Sequence, residues 1–406
     1  MTVEQFPLVI QRGCGMDVHR DTVVASVKGS DIEMETKTFG TFTTDLYDLV
    51  GWLQSKGVSH IVMESTGVYW KPVYYILEEF FEVLLVNARH VKNVPGHKTD
   101  KADSRWLTKL LLSGLLKGSF VPAENIRELR VLNRHRKKLI GQRTSEKNRL
   151  QNILEDANIK LRSVVSDVFG KSGMAMIEAI IKGETNPDIL SDKAKGSLVR
   201  KKDLLRKALN GRITDHHRFM LKMMLENINH INNQIAQIEA RMNKYLESMS
   251  QEVSLLKTIP GVSDGIARGI IAEIGIDMSH FPSHKHLSSW AGICPGNNES
   301  AGKKYSSKTT KGNKYLKSTL VEAAWVASRS KTNLILANKH KTLSIRRGSK
   351  KATIAIGNKI LIAAYHILRD KIQYKPHTQD EKIVAQRRMK KIERLERQLK
   401  TLKQTP

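Results

Sequence analysis

Residues 14–30 of the chain read CGMDVHRDTVVASVKGS, with apolar and polar residues in alternation and many valines. Successive side chains of a strand point to opposite faces, so this pattern predicts β-structure. Further strands are predicted at 32–42, 59–65 and 82–88, and amphipathic helices at 45–57, 69–81 and 99–116. The predicted order is three strands, a helix, a strand, a helix, a strand and a helix, which indicates a mixed sheet covered by helices.

The rest of the chain is predicted to be mainly helical. Residues 123–165 are rich in charge, and 166–215 has the glycine, serine and aspartate content of an insertion between two long helices. Apolar residues spaced alternately by three and four form a heptad pattern: Leu221, Met224, Ile228, Ile231, Ile235, Ile238, Met242, Tyr245 and Met249. This helix pairs either with 123–165 of the same chain or with a second subunit, and both can hold at once.

The charge of the chain points to a polyanionic partner. Its 406 residues include 68 lysines and arginines against 40 aspartates and glutamates, a formal net charge of +28. Such a protein attracts polyanions, and nucleic acid is the first candidate. A membrane protein is disfavoured, because no apolar run reaches about 18 residues and the N-terminus lacks a signal-peptide pattern. We expect a cytoplasmic protein without a membrane partner.

Four acidic residues stand where a metal-dependent enzyme needs them. Asp17 lies within the first strand, opposite to its apolar neighbours, and Glu64 ends an apolar strand. Asp100 and Asp103 lie three residues apart, so they share one face of a helix. Converging carboxylates repel one another, and Mg²⁺, which prefers oxygen ligands, relieves that repulsion. Each acid alone also has a structural explanation: a partner for His19, a strand end or a helix cap.

A basic, glycine-rich loop is predicted around 296–312. Residues 302–351 hold fourteen lysines and arginines and one acid, which makes a strong anion-facing patch. The candidate nucleic-acid-binding residues in it are Lys303, Lys304, Lys308, Lys311, Lys314 and Lys317.

Ser300 precedes this loop and is a candidate nucleophile. The two residues after it are alanine and glycine, which let a ligand approach the backbone closely. A serine hydroxyl attacks a phosphodiester only when a base or a metal ion activates it. Ser306 and Ser307 are competitors for that role, and the alternative interpretation of the loop is a passive phosphate clamp.

Residues 255–275, LLKTIPGVSDGIARGIIAEIG, resemble a helix-hairpin-helix element that binds the DNA backbone. Gly261 would allow its turn to present amide groups to a phosphate at a helix N-terminus. The alternative is an ordinary helical corner within a compact helical region at 252–372.

Several motifs together resemble one known family. They are GMDVHRD, VMESTGVYW, NARHVKNVPGHKTDKADSRWL, TIPGV, WAGICPGNNESAGK and TTKGNKYLKSTLVEAAW, in this order over most of residues 13–330. The chain is similar to the DEDD insertion-sequence transposases, also called bridge-RNA-guided recombinases, and to the related Piv-type site-specific invertases. Many members have two serines before the small residues, where this chain has Glu299 and Ser300.

The resemblance implies an enzyme that cuts and rejoins donor and target DNA. It implies Asp17, Glu64, Asp100 and Asp103 as ligands of Mg²⁺ or Mn²⁺, and Ser300 as the nucleophile of a covalent phosphoserine intermediate. It further implies a coiled-coil dimer, a tetrameric synapse and a structured noncoding RNA that selects the DNA sites.

With this resemblance, the expected fold is α/β plus all-α in four parts. Residues 1–120 are predicted to form a RuvC-like domain, whose order of elements is that of ribonuclease-H-like folds. Residues 121–251 form a long helical coiled-coil region with an insertion, and 252–375 a helical transposase domain with the helix-hairpin-helix-like element. Residues 376–406 form a basic helical tail.

Two other functions remain compatible with the residues. A RuvC-like junction nuclease would hydrolyse DNA with the four acids and without Ser300. A non-catalytic nucleic-acid-binding scaffold would use its charge and its long helices, and would tolerate loss of all four acids.

The net charge predicts that affinity for duplex DNA falls steeply with salt. Each neutralised phosphate contributes about −0.9 to the slope of log affinity against log salt concentration. Replacing Lys311, Lys314 and Lys317 by glutamine should therefore flatten the slope by up to about 2.7 in fluorescence anisotropy titrations. An unchanged slope would place the contact surface elsewhere, for example on residues 127–149.

Overall fold

A computed structural model describes the chain over 9–65, 67–87, 100–296, 298–300, 303–306, 308–331, 334–375, 389, 392–393 and 395–398, with the backbone alone at 100–101, 298–300 and 304–305. The chain divides into two compact units, Met1–Val121 and Pro122–Pro406. Most of the predicted C-terminal tail lies outside the described residues. In the described part of the chain, no helix has the length and apolar character needed to cross a membrane.

The first unit contains a five-stranded mixed sheet. Its elements in chain order are β1 Arg12–Val18, β2 Thr22–Gly29, β3 Glu35–Gly40, α1 Thr43–Ser55, β4 His60–Glu64, α2 Trp70–Leu77, β5 Glu82–Val86 and α3 Asp100–Leu112. The strand order is β3-β2-β1-β4-β5, with the first three strands antiparallel and β4 and β5 parallel to β1. The predicted order of strands and helices is therefore confirmed.

Helices cover both faces of this sheet. On one face, Met16 and Met63 are fully buried in a core completed by α1 and α2. On the other face, Val62 packs with Leu107 and Leu111 of α3. The alternation of residues along each strand determines which side chains face α1 and α2 and which face α3, because neighbouring residues of a strand point to opposite sides.

Small residues let α3 lie unusually close to the sheet. The amide of Gly15 donates to Thr108 Oγ1 at 2.9 Å, and Thr108 Oγ1 donates to the Ser26 carbonyl at 2.8 Å. Ser26 and Ser104 share a hydrogen bond of 2.8 Å between their hydroxyls. A Cβ on Gly15 would lie only 2.4 Å from the Ser104 carbonyl oxygen, so no larger residue fits there without movement of the helix.

The second unit is mostly helical. Its elements are α4 Glu124–Asp156, α5 Leu161–Val164, α6 Lys171–Ile181, α7 Pro187–Ser191, α8 Lys202–Leu209, α9 Asp215–Leu246, α10 Ser250–Lys257, α11 Asp264–Ile274, α12 His284–Trp290, β6 Asn298–Ser300, β7 Lys303–Ser306, α13 Lys314–Ser328, α14 Leu334–Arg347 and α15 Ser349–Asp370, with short 3-10 turns at Gly196–Lys201 and Glu247–Met249.

The heptad helix α9 pairs with α4 of the same chain. Tyr245 donates to Glu128 at 2.5 Å near one end of the pair. Arg143 donates to Asn232 at 3.0 Å further along, so the two helices are antiparallel. Ile231 and Ile235 of the heptad pattern pack against Leu139. The intrachain alternative is thus observed, while an intersubunit coiled coil stays a prediction.

Residues 157–214 form a helical subdomain rather than irregular structure. Helices α5 to α8 share an apolar core with the adjoining ends of α4 and α9; its fully buried members include Leu150, Met176, Ile180 and Leu221. The many glycines and serines of this segment concealed its helices in the sequence, because these residues are also typical of loops.

Within the helical region predicted at 252–372, the basic loop expected around 296–312 contains two short strands that the sequence did not predict. Strands β6 and β7 form an antiparallel pair, with Ser300 opposite Lys303. The basic run after them forms an isolated bridge between Pro295 and Thr309. Extended backbone suits this stretch, because glycine and polar residues interrupt any apolar helical period.

The contact between α3 and β1 generates a stability prediction. Gly15→Ala should destabilise the chain by about 1–3 kcal/mol, because the added methyl group meets the backbone of α3. Gly51→Ala is the matched control: nothing lies within 4 Å of its Cβ position in α1. It should stabilise by about 0.5–1 kcal/mol. Equal melting temperatures for the two variants would contradict this packing.

Candidate active site

Asp17 and Glu64 lie at adjacent positions near the C-terminal ends of two neighbouring strands of the N-terminal sheet. Strands β1 and β4 are parallel, and Met16 lies opposite Met63 in their register. Each acid is the next residue of its strand, so both carboxylates lie on the face opposite to the buried methionines. The Asp17 side chain is 20% exposed, and its Oδ2 lies 3.2 Å from His19 Nε2.

Helix α3 begins on the side of the sheet where these two strands end. Gly13 of β1 faces Leu111, while Gly15 faces Ser104 and Thr108. The helix therefore runs antiparallel to β1, and its N-terminal end, which begins at Asp100, points toward the end of the strand that carries Asp17. The direction of α3 and its contacts with β1 thus bring the start of the helix toward the strand ends that carry Asp17 and Glu64.

The structure describes one side chain of the second acid pair. Asp103 is exposed on α3, and the side chain of Asp100 lies outside the described residues. Among the side chains that the structure describes, no three histidines, cysteines or acids form a group that could hold a metal ion. The structure thus brings two of the four predicted ligands, Asp17 and Glu64, to adjacent positions of neighbouring strands, and the metal site itself stays a prediction.

The donor chemistry at these strand ends fits a hard divalent cation. Asp17 and Glu64 offer carboxylate oxygens on neighbouring strands, and oxygen is the ligand that Mg²⁺ prefers. His19 offers a nitrogen near Asp17, but imidazole is a preferred ligand of softer metals. We therefore take the two carboxylates as the part of the site that fits Mg²⁺ or Mn²⁺.

The loop after Ser300 is held by close backbone contacts. The amide of Gly296 donates to the Lys308 carbonyl at 2.9 Å. Gly292 and Gly312 touch, since a Cβ on Gly312 would lie 2.3 Å from the Gly292 nitrogen. Glycine at both positions lets residues 308–312 run directly beside 292–296, which fixes a basic segment next to the β6–β7 pair.

Most of the predicted phosphate-binding lysines are available to a ligand. Lys303, Lys308, Lys311 and Lys314 are exposed. Lys317 is half-buried and donates to Thr309 Oγ1 at 2.6 Å, so it supports the loop from within. The side chains of Lys304 and Ser300 lie outside the described residues.

A buried carboxylate that sequence reasoning missed anchors this loop. Glu273 of α11 is fully buried and accepts two hydrogen bonds from Arg134, at 2.9 and 2.7 Å. It also accepts from Asn313 Nδ2 at 2.6 Å. Asn313 Oδ1 in turn accepts from the amides of Tyr315 and Leu316 as the N-cap of α13. A buried charge needs such complete pairing.

The signal for this carboxylate is present in the sequence. Glu273 is the one acid in the otherwise apolar run GIIAEIG, residues 269–275. An acid on an apolar helix face is costly unless it is paired. Its partner Arg134 lies 139 residues away, and no local pattern links the two.

The turn between α10 and α11 contains Gly261 with a φ of +85°. A Cβ there would lie 2.4 Å from the Ala323 carbonyl oxygen of α13. Close packing between helices thus accounts for this glycine, and phosphate binding by Gly261 stays a prediction. Ser263 caps α11 by accepting from the Ile266 amide at 3.4 Å.

Comparison with known proteins finds two transposase families that match successive parts of the chain. Residues 14–159 match a transposase family of the DEDD, IS110 type, and residues 253–339 match the family described as Transposase IS116/IS110/IS902. The first match contains all four candidate metal ligands, and the second contains Ser300 and the basic loop.

Two relatives are pilin gene-inverting proteins. The one from Moraxella bovis is 24% identical over 370 residues, which cover 87% of this chain and 95% of the relative. The one from Moraxella lacunata is 30% identical over 149 residues, which cover 36% of this chain and 46% of the relative. The two family matches together span more than half of the sequence, and the chain belongs to the IS116/IS110/IS902 family of transposases.

Proposed function

We propose that this transposase cuts and rejoins DNA through a metal-dependent, covalent phosphoserine mechanism. The observation that carries the proposal is the position of Asp17 and Glu64, each one residue beyond the Met16–Met63 pair of the parallel strands β1 and β4, within the part of the chain that matches the DEDD transposase domain. The chain is a DNA-recombining enzyme by family; the metal ion, the serine and the guide RNA are the parts proposed.

The four acids would hold Mg²⁺ or Mn²⁺ and orient the scissile phosphate. Asp17 and Glu64 supply oxygens from rigid strands, and Asp100 and Asp103 supply them from the first turn of α3. Strands and helix ends hold ligands in place better than free loops do. A divalent cation, when bound, neutralises charge on the phosphate and lowers the pKa of a coordinated hydroxyl.

Ser300 would carry the covalent step. Its Oγ forms a bond to phosphorus, the bond from phosphorus to the leaving deoxyribose oxygen breaks, and the serine proton is transferred to that oxygen. The phosphodiester energy is kept in the phosphoserine bond. Attack by a deoxyribose hydroxyl then reverses the step, releases Ser300 and joins the strands. Lysines of the loop stabilise the negative charge of the transition state.

Guide RNA and self-association complete the proposal. Both follow from the family resemblance, and the net charge of +28 is compatible with binding RNA as well as DNA. Much of the heptad pattern of α9 is already buried against α4. A subunit contact on α9 would therefore use side chains that remain exposed, such as Phe219 at 60% and Met223 at 50%.

Loss of the carboxylate of either Asp17 or Glu64 should remove DNA cutting. Asp17→Asn and Glu64→Gln should each lower the rate of strand cleavage at least about a hundredfold, by loss of charge stabilisation at the phosphate. Asp21→Asn is the matched control, because Asp21 is 82% exposed beside Arg20. Cleavage of labelled DNA in Mg²⁺, in Mn²⁺ and in chelator provides the measurement. Near-normal cleavage by the Glu64 variant would remove it from the metal site.

Loss of Ser300 should remove the covalent intermediate and spare DNA binding. A denaturing gel with labelled DNA should show a protein–DNA band for the wild type and none for Ser300→Ala. Ser306→Ala is the matched control, because Ser306 lies in the paired strand and its Oγ accepts from the Lys308 amide at 3.2 Å. It should keep the band.

The same gel separates the alternatives. A hydrolytic nuclease would cleave DNA without a covalent band and would ignore Ser300→Ala. A non-catalytic scaffold would bind DNA, with no cleavage in any variant.

A further inference from the structure

A second basic surface lies at the corner between α14 and α15, away from the β6–β7 pair in sequence. Residues 323–369 contain ten lysines and arginines and no aspartate or glutamate. Helix α14 ends at Arg347, Gly348 turns the chain with a φ of +82°, and α15 begins at Ser349. Five exposed cations lie near this turn in the sequence, and we name them the corner cations: Lys341, Arg346, Arg347, Lys350 and Lys351.

One large apolar side chain among these cations in the sequence is exposed. Ile345 is 81% exposed, although it precedes two arginines. Near its start, α14 buries Leu336 against the rest of the unit, and α15 buries Ala352 and Ile356. The end of α14 therefore stands out from the core and presents Ile345 at its tip.

The corner is held in a defined shape. The amide of Gly348 donates to the Ser344 carbonyl at 2.9 Å. His340 Nε2 lies 3.1 Å from Thr353 Oγ1, which ties α14 to α15 behind the tip. A side chain presented on a fixed helix end loses little conformational freedom when it binds, so this architecture suits an anchor.

We propose that this corner enters the minor groove of duplex DNA, with Ile345 as a wedge between base pairs and Arg346 and Arg347 in the groove. The inference rests on the proposed function for its partner, DNA. Proteins that bend DNA from the minor groove combine an apolar wedge with basic side chains, and they kink the duplex by roughly 20–90°.

Charge decides between DNA and other occupants of this surface. A second copy of the chain would have to bury the corner cations, and burying unpaired charge is costly. A phosphate clamp alone explains the cations but leaves Ile345 in water. Insertion between base pairs accounts for both features, because the wedge is desolvated while the cations face phosphates and the groove.

Ile345→Ala tests the wedge directly. A short mixed-sequence duplex with a donor and an acceptor fluorophore at its ends reports bending by energy transfer. The wild type should raise the transfer efficiency, and Ile345→Ala should lose most of that rise while its affinity changes by less than about tenfold, since unstacking offsets part of the contact energy. Ile335→Ala, which truncates a 45% exposed isoleucine on the same helix, should bend DNA like the wild type.

A double variant tests the arginines. Arg346→Gln with Arg347→Gln should reduce the slope of log affinity against log salt by about 1.8, the contribution of two phosphate neighbours. Arg200→Gln with Lys201→Gln is the matched control, because it removes two adjacent exposed charges from the helical subdomain. It should leave the slope within error of the wild type.

Two results would overturn the proposal. One is wild-type bending by Ile345→Ala, and the other is a smaller mass for Ile345→Ala in light scattering, which would assign the side chain to a contact between copies. Ser300→Ala should bend DNA normally. If the wild type forms no covalent adduct and still bends DNA in a way that depends on Ile345, that result would refute the phosphoserine mechanism but not the insertion of Ile345 into DNA.

Discussion

The close approach of α3 to β1 is the constraint on which the N-terminal site depends. Gly15, Ser26 and Ser104 leave no bulk between helix and sheet, and the Thr108 hydroxyl bridges the two strands beneath it. The direction of α3 over β1 then brings its first turn toward the strand ends that carry Asp17 and Glu64. A larger residue at position 15 would displace the helix, and with it the second pair of acids.

A buried carboxylate plays the corresponding part in the second unit. Glu273 connects α11, α4 through Arg134, and the start of α13 through Asn313. The basic loop ends at Asn313, so the position of its lysines depends on this network. Charged groups therefore have two roles in this unit. Glu273 and Arg134 form a buried, hydrogen-bonded pair within the framework, whereas Lys303, Lys308, Lys311 and Lys314 are exposed on the surface.

Sequence patterns predicted the N-terminal sheet well because its strands and helices have clear and different periods. They also placed Asp17 within the first strand and Glu64 at the end of another, and the register of β1 with β4 brings these two positions side by side. They missed Glu273 because its partners are distant in the chain, and they missed the β6–β7 pair because short polar strands lack an apolar alternation. The heptad pattern of α9 predicted an apolar seam but could not choose its partner; the structure supplies α4.

The central claim is that the chain forms a phosphoserine bond to DNA at Ser300. The most direct measurement is mass spectrometry of peptides from wild-type protein trapped on cleaved DNA and digested with nuclease. The account predicts a nucleotide-bearing peptide with the modification on Ser300, formed in the presence of Mg²⁺ or Mn²⁺ and absent with chelator. Modification at Ser306 or Ser307, or efficient cleavage with no modified peptide, would contradict it.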